Sequence, residues 1–519
     1  MSFSRFADWC RHIDSLSEGT RHTVEVLLNT AGTDDADDAE EAEQILSSMT
    51  ELSLCGNEIT DISSLGSLTN LTELDLSYTQ ITDFSSLTSL TNLTTLNLSG
   101  ARITDFSSLT SLTNLTTLNL SGARITDFSS LGSLTNLTTL NLSGNEITDI
   151  SFLGSLTNLT TLNLSGNEIT DISSLGSLTN LTTLNLNGDR ITGDRITDIS
   201  SLSSLTNLTT LNLSGNFIAD ISSLTSLTNL TTLNLSGNEI TDISSLTSLT
   251  NLTTLDLGAN GIKDFSFLKS LINLTTLDLS DNYLITDFSF LKSLTNLTTL
   301  SLDTYQIKDF SFLKSLTNLT ALGLGSDKIT DFSYPTKREF DVYRHNQITD
   351  TYQIKDFSFL KSLTNLTTLD LSDNLITDFS FLKSLTNLTT LHLSTCQITY
   401  ISSLDSLTNL TTLHLRGPLN DISSLGSLTN LTALHLSHFH KIYDFSFLGS
   451  FINLTTLHLS QFHVISCIRY LGSLTNLTTL HLRKNIYIAD IRDLGSFANL
   501  TTVYLDGNLI KKMPNLNEC

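Results

Sequence analysis

The chain has 519 residues, 39% of them hydrophobic, and a formal charge of −25 from 52 acidic and 27 basic residues. So acidic a chain is repelled by nucleic-acid phosphates and anionic membranes, which sets nucleic-acid binding aside, and no apolar run reaches the 18 residues that membrane insertion needs. The five cysteines (Cys10, Cys55, Cys396, Cys467 and Cys519) are odd in number and form no CxxC pair, which suits a reducing compartment better than a disulfide framework or a zinc site.

Residues 1–48 lie outside the repetition that fills the rest of the chain. They begin MSFSRFADWCRHIDSLSEG, with charges throughout and no apolar core segment, so no secretory signal is read and a cytoplasmic location is expected. Phe6, Trp9, Cys10, Ile13 and Leu16 share one face at helical spacing. Residues 23–28 suggest a second helix. Residues 34–49 suggest a third, with Ala36, Ala39, Ala42, Ile45, Leu46 and Met49 on one side and an acidic start, DDADDAEEAE, that suits a helix N-terminus. The segment reads as a helical cap over an otherwise open sheet edge; the alternative is a calcium or partner site on the acidic run.

From residue 49 a 22-residue unit recurs about twenty times, as in LTTLNLSGARITDFSSLTSLTN from Leu93. Counting from its first Leu, positions four and six (Leu140, Leu142) alternate with Thr139, Asn141 and Ser143, the period of a strand with one buried face. Such a strand is too short to stand alone, so stacked units are expected to pair into one parallel sheet over a continuous Leu core. Position nine, Asn145, is placed to bond the backbone of a neighbouring turn and make a ladder, interrupted at Thr79, Ala101, Ala123 and Cys396. Phe152, Phe267, Phe290, Phe312, Phe359, Phe381 and Phe447, at position sixteen, read as core filler. Asp at position thirteen (Asp61, Asp83, Asp105, Asp127, Asp149, Asp171, onward to Asp444) is expected to cap a short helical turn. Asn-Leu-Thr, present in nearly every unit, is formally a glycosylation sequon, which favours a bacterial or cytoplasmic setting.

Two breaks interrupt the array. GDRITGDRITD (188–198) predicts a small bulge. A degenerate repeat or protruding loop at 334–358 carries Pro335 in place of Leu, Phe340 and Val342 as a poor strand, and the cations Lys337, Arg338 and Arg344. The expected organisation is therefore a cap (1–48), a regular array (49–333), the interruption (334–358) and a second array (359–519) that ends in a truncated unit at Pro514.

LTNLTTLNLSGNEITDISSLGS closely resembles the repeat of the internalins and related bacterial leucine-rich-repeat proteins, and that of the leucine-rich-repeat regulatory subunit of a protein phosphatase, over roughly residues 49–513. The resemblance implies an α/β fold: a right-handed curved solenoid with a parallel β-sheet on its concave face and short 3-10 turns on its convex face. It also implies protein partners bound on the concave face. The sequence departs from secreted internalins in lacking a signal peptide, an Ig-like domain and a cell-wall anchoring tail, which weighs against host-cell adhesion.

In a stacked array each position becomes a column. The outward strand positions of the first half are uniform (Thr95, Asn97, Ser99; Thr139, Asn141, Ser143), a surface that holds little information for choosing one partner but suits a repetitive glycan. In the second half, position five becomes His392, His414, His435, His458 and His481, then Tyr504, with Arg416 and Arg483 at the next outward position. Nearby turns add His438, Phe439, His440, Phe462, His463 and Tyr487. The column is open to three readings: duplication without function, a protein-binding patch sensitive to pH, or a metal site lacking carboxylate or Cys to complete its shell. The reading chosen is a monomeric, non-catalytic scaffold without cofactor, binding a protein partner through His392, His414, His435, His458, His481, Arg416, Arg483, Tyr504, Phe439 and Phe462. Glycan binding along the array and metal binding by the histidines are its alternatives. No GxSxG or Walker A loop is present, and Ser/His/Asp coincidences are expected by chance in such a repeat.

Overall fold

The computed structural model describes residues 3–505 apart from 34, 36–37, 57, 102–105, 124–127, 189–194, 283, 303–306, 308, 326–356, 373, 375, 377, 394–400, 418, 420, 440–441, 443–444, 463–470, 472 and 486–498. The chain divides into two compact units, Met1–Asp256 and Leu257–Cys519.

The first unit opens with helices α1 (Phe6–Arg11), α2 (Glu18–Thr30) and α3 (Ala39–Ser48). The expected stripe breaks after Cys10: Ile13 falls in a 3-10 turn, and Ile13 and Leu16 are only half-buried. α3 starts at Ala39, later than its acidic prefix suggested, and Ile45 is exposed while Ala39, Ala42 and Leu46 are buried. Acidic side chains join the helices. Glu43 of α3 accepts the Ala7 N–H in the first turn of α1 at 2.7 Å, and Glu40 is held by Arg5 and Arg11. Ser17 caps α2, whose Thr20 and Thr23 hydroxyls donate to the side chain and backbone carbonyl of Asp61, so the cap is bonded to the first repeat.

Strands β1 (Glu51–Ser53) through β10 (Thr254–Asp256) form a parallel ladder in this unit, each three residues long, with partners such as Leu140↔Leu162 one repeat apart. The central Leu points inward and the flanking Thr and Asn outward, as alternation requires. On the far side each unit closes through a 3-10 turn, for example Ser151–Ser155, that buries its Leu. The position-thirteen Asp stands one residue before the cap position, and its Oδ1 accepts the first N–H of the turn: Asp149 from Ser151 and Asp220 from Ser222, both at 2.8 Å. Asp105, Asp127 and Asp444 lie outside the described residues.

Two asparagine columns stitch the repeats. At position nine, buried Asn216 donates to the Leu186 carbonyl of the previous repeat (2.9 Å) and to the Leu213 carbonyl of its own (3.1 Å), while its Oδ1 accepts the Ile196 N–H. The second column, at position twenty-two, was not foreseen. The Asn of Asn-Leu-Thr donates to a threonine carbonyl of the previous repeat, as Asn158 does to Thr135 at 2.9 Å. It bridges both breaks, Asn207 to Thr179 and Asn365 to Thr317.

The breaks leave the ladder in register. β7 (Thr183–Asn185) pairs β8 (Thr210–Asn212) directly. In the second unit, which runs from β11 (Thr276–Asp278) to β20 (Thr502–Tyr504), β13 (Ala321–Gly323) pairs β14 (Thr368–Asp370) across the longer interruption. There the Phe310 and Phe359 rings stack at 4.4 Å. The flanking rungs pack as ordinary neighbours. Pro335, Lys337, Arg338, Phe340, Val342 and Arg344 lie outside the described residues. Phe290, Phe312, Phe381 and Phe447 are buried, and Phe152, Phe267 and Phe359 half-buried.

Candidate functional site

Along β11–β14 the position-five side chains Asp278, Ser301 and Asp370 are buried. Beyond them lie β15 (Thr390–Leu393), β16 (Thr412–Arg416), β17 (Ala433–Ser437), β18 (Thr456–Ser460) and β19 (Thr479–Arg483). Four of these strands are five residues long where strands elsewhere have three, so pairing there extends through position seven.

Register puts His392, His414, His435, His458, His481 and Tyr504 side by side. Their rings stack face to face, with centroids 4.1, 3.8, 3.9 and 3.7 Å apart along the histidines and 4.2 Å from His481 to Tyr504. Strands sit about 4.8 Å apart, so the rings lean to reach van der Waals contact. The histidines are half-buried, and Tyr504 is exposed.

Burial disfavours the imidazolium form. It lowers His392 from the usual 6.5 to about 4 and His414 and His458 to about 3; for His414 and His458 neighbouring positive charge adds to the effect. His435, flanked on both sides, is held well below the ordinary range, first by burial and then by its neighbours, and His481 is lowered by burial and by Arg483. The strip is therefore a column of neutral, polar ring edges at neutral pH.

The same register aligns Arg416, Ser437, Ser460 and Arg483 in the adjacent column, with both arginines exposed. The Arg416 guanidinium donates to His438 Nε2 at 3.1 Å. Arginine has no acceptor, so this ring nitrogen carries the lone pair.

Phe439 and Phe462 do not belong to the surface. Both are fully buried, with rings 5.8 Å apart, and Phe462 packs on Phe445. They occupy position nine, the inward-pointing place that Asn fills elsewhere, so a sequence neighbour of the site is here a core residue. Sequence reasoning also missed Gln461 and Lys484. With His438 they hold position eight, where Gly144 and Gly166 have φ of 67°; the three have φ of 65° (His438), 58° (Gln461) and 53° (Lys484). Tyr78, Ala259 and Asp281 hold the same position in other repeats with φ of 57°, 54° and 59°, so the left-handed turn belongs to the repeat and costs any residue other than glycine some strain. His440, His463 and Tyr487 lie outside the described residues.

Stacked rings direct their ring-plane lone pairs in parallel, whereas ligands to one metal ion must converge. Among the described residues no three His, Cys, Asp or Glu side chains are grouped to hold a metal, and no helix is long and apolar enough to cross a membrane. The face offers hydrogen-bonding edges, two guanidinium groups and an aromatic end, arranged on a rigid sheet.

The repeat that carries these strands has known relatives. The family described as leucine-rich repeat region matches residues 129–359, and that described as leucine rich repeats (2 copies) matches 47–89, 69–111, 91–133, 338–384, 364–406 and 386–427. No curated protein matches. Among solved structures, the functional domain of InlJ from Listeria monocytogenes, which includes a cysteine ladder, is 25% identical, with 85% of this chain and 83% of that one covered and a TM-score of 0.52. Internalin C2 of the same organism is 35% identical over 40% of this chain and 90% of its own, with a TM-score of 0.37. The internalin InlF, also from Listeria monocytogenes, is 25% identical, with 93% and 94% covered and a TM-score of 0.29.

Proposed function

The chain belongs to the leucine-rich-repeat family and is of internalin type, and from that premise we propose that it is a non-catalytic scaffold that binds a protein partner on the strand face of its second unit, over residues 392–504. Protein-protein interaction is the role that the repeat family and its internalin neighbours suggest. The observation that carries the placement is the stacked column from His392 to Tyr504 beside exposed Arg416 and Arg483, the richest surface that the strands present. Because the sheet holds these groups before any partner arrives, little ordering remains to oppose binding. Aromatic and Arg side chains are also the usual anchors of interfaces. A reducing compartment belongs to the same reading: Cys10 is buried and Cys55 exposed, and both are free thiols.

The test begins by crosslinking and identifying the partner in the native cell, followed by affinity measurements with purified components. His392, His414, His435, His458 and His481 are then all changed to Asn, the residue that fills the same strand position in β3 (Thr95–Asn97) and β5 (Thr139–Asn141). Affinity should fall at least tenfold with the fold retained; an unchanged affinity would reject the placement. A second reading, a repetitive glycan bound along the first unit, is favoured by the uniform Thr and Asn columns from β3 to β9 (Thr232–Asn234). Deleting residues 93–187 weakens glycan binding and spares a protein partner if the first reading holds.

A further inference from the structure

Nearly all of the chain's net negative charge lies in one unit. Residues 1–256 hold 30 acidic against 7 basic side chains, and residues 257–519 hold 22 against 20. From residue 380 to the end the balance reverses, with nine basic and seven acidic. Strands β15–β20 carry no carboxylate at all, while β16 and β19 each end in an exposed arginine and Lys484 stands exposed in the turn after β19. The histidines between are neutral, so Arg416, Arg483 and Lys484 set the sign of the face.

Resting on the proposed partner-binding face, we infer that it reads an extended acidic segment of the partner, running across the strands, with two carboxylates four residues apart. The register fixes this spacing. Arg416 and Arg483 stand in one column three rungs apart, with Ser437 and Ser460 between them. Three rungs span about 14 Å at about 4.8 Å each, and four residues of extended chain span nearly the same at about 3.4 Å each. An even separation also turns both carboxylates to the same side of the segment, so each can meet one guanidinium in the bidentate geometry that arginine favours. Ser437, Ser460 and the imidazole edges lie under the residues between, where they offer hydrogen bonds without adding charge. The acidic first unit repels such a segment, which restricts it to this end of the chain.

The test uses the full chain and a fluorescent nine-residue peptide of threonine and valine carrying glutamates four residues apart. The peptide should bind, weaken as salt rises, and lose about tenfold in affinity with either R416Q or R483Q, the value of one charge-assisted hydrogen bond. Peptides with glutamates three or five residues apart, or with glutamines in place of glutamates, should bind at least tenfold more weakly. Equal affinity for all glutamate spacings, equal binding of an oligonucleotide of the same charge, or indifference to both arginine substitutions would overturn the inference. Thermal unfolding of the two variants, at exposed positions, should match the parent. The natural partner separates this failure from that of the underlying reading. If its affinity falls in the chain with the five His→Asn changes but not in R416Q or R483Q, the acidic segment is rejected and the face stands. If it falls in none, the face itself is rejected.

Discussion

At the residue scale, the two asparagine columns differ in what they hold. Asn216 is buried and bonded to carbonyls of two repeats while accepting an amide, so Asn216→Ala leaves several buried groups without partners. It should lower the unfolding free energy by about 2–3 kcal/mol in a urea titration, against about 1 kcal/mol for exposed Asn207→Ala, which gives up one bond to the Thr179 carbonyl. Position eight makes a complementary prediction. Replacing His438, Gln461 or Lys484 by Gly relieves a left-handed backbone and should leave stability unchanged or raise it by up to about 1 kcal/mol. The same changes should weaken partner binding. Stability and affinity measured on one set of proteins separate the backbone cost of these residues from what their side chains give to binding.

At the scale of the element, the histidine strip ties the second unit to pH. Its folded pKa values lie below the ordinary 6.5, at about 4 for His392 and about 3 for His414 and His458, so the unfolded chain binds more protons than the folded one between those limits. The stability from neutral stacking is fully present above 6.5 and is lost as pH falls toward the folded values. Each such histidine steepens the fall by up to about 1.4 kcal/mol per pH unit. The groups facing the column are Asp370 at one end, Tyr504 at the other and Arg416 and Arg483 along its flank. Changing the five histidines to Asn should flatten the acid limb of unfolding in the second unit, as read by hydrogen exchange between pH 7 and 4. Binding through the strip should stay constant from pH 8 to 7, above the ordinary 6.5 from which every ring in it is lowered; a sharp change in that window would contradict the burial of the ladder.

For the whole molecule, charge and capping act unevenly. With 30 acidic and 7 basic residues in the first unit, self-repulsion there is screened by salt, while the second unit is nearly balanced. Added sodium chloride should therefore raise hydrogen-exchange protection more in residues 3–256 than in 257–505. The cap should matter through its core rather than its ion pairs. Leu27 is fully buried, and Leu27→Ala should cost about 2–5 kcal/mol and loosen the first repeats. Glu40→Gln, at a solvated site, should change little.

Much of this fold was legible from one repeat, because alternation in LTTLNLS is local: it decides which side chains face inward without knowing any neighbour. The rungs, the position-nine ladder and the histidine column come from that rule applied unit by unit, and the cap from helical spacing outside the repeat. What stacking alone decided lies between repeats. Phe439 and Phe462 looked like surface anchors beside the histidines, yet they stand where Asn is otherwise buried, and an apolar ring in that inward place joins the core. Asn158 and its column looked like sequons because the carbonyl each one reaches lies a whole repeat or more away in sequence, 23 residues for Asn158, and is adjacent only once the rungs are stacked. The direct pairing of β13 with β14 belongs to the same class, since a ladder closes on whichever strand offers the matching edge, however long the chain between. Sequence specified the rung; packing of rung on rung decided which of its side chains remained available to a partner.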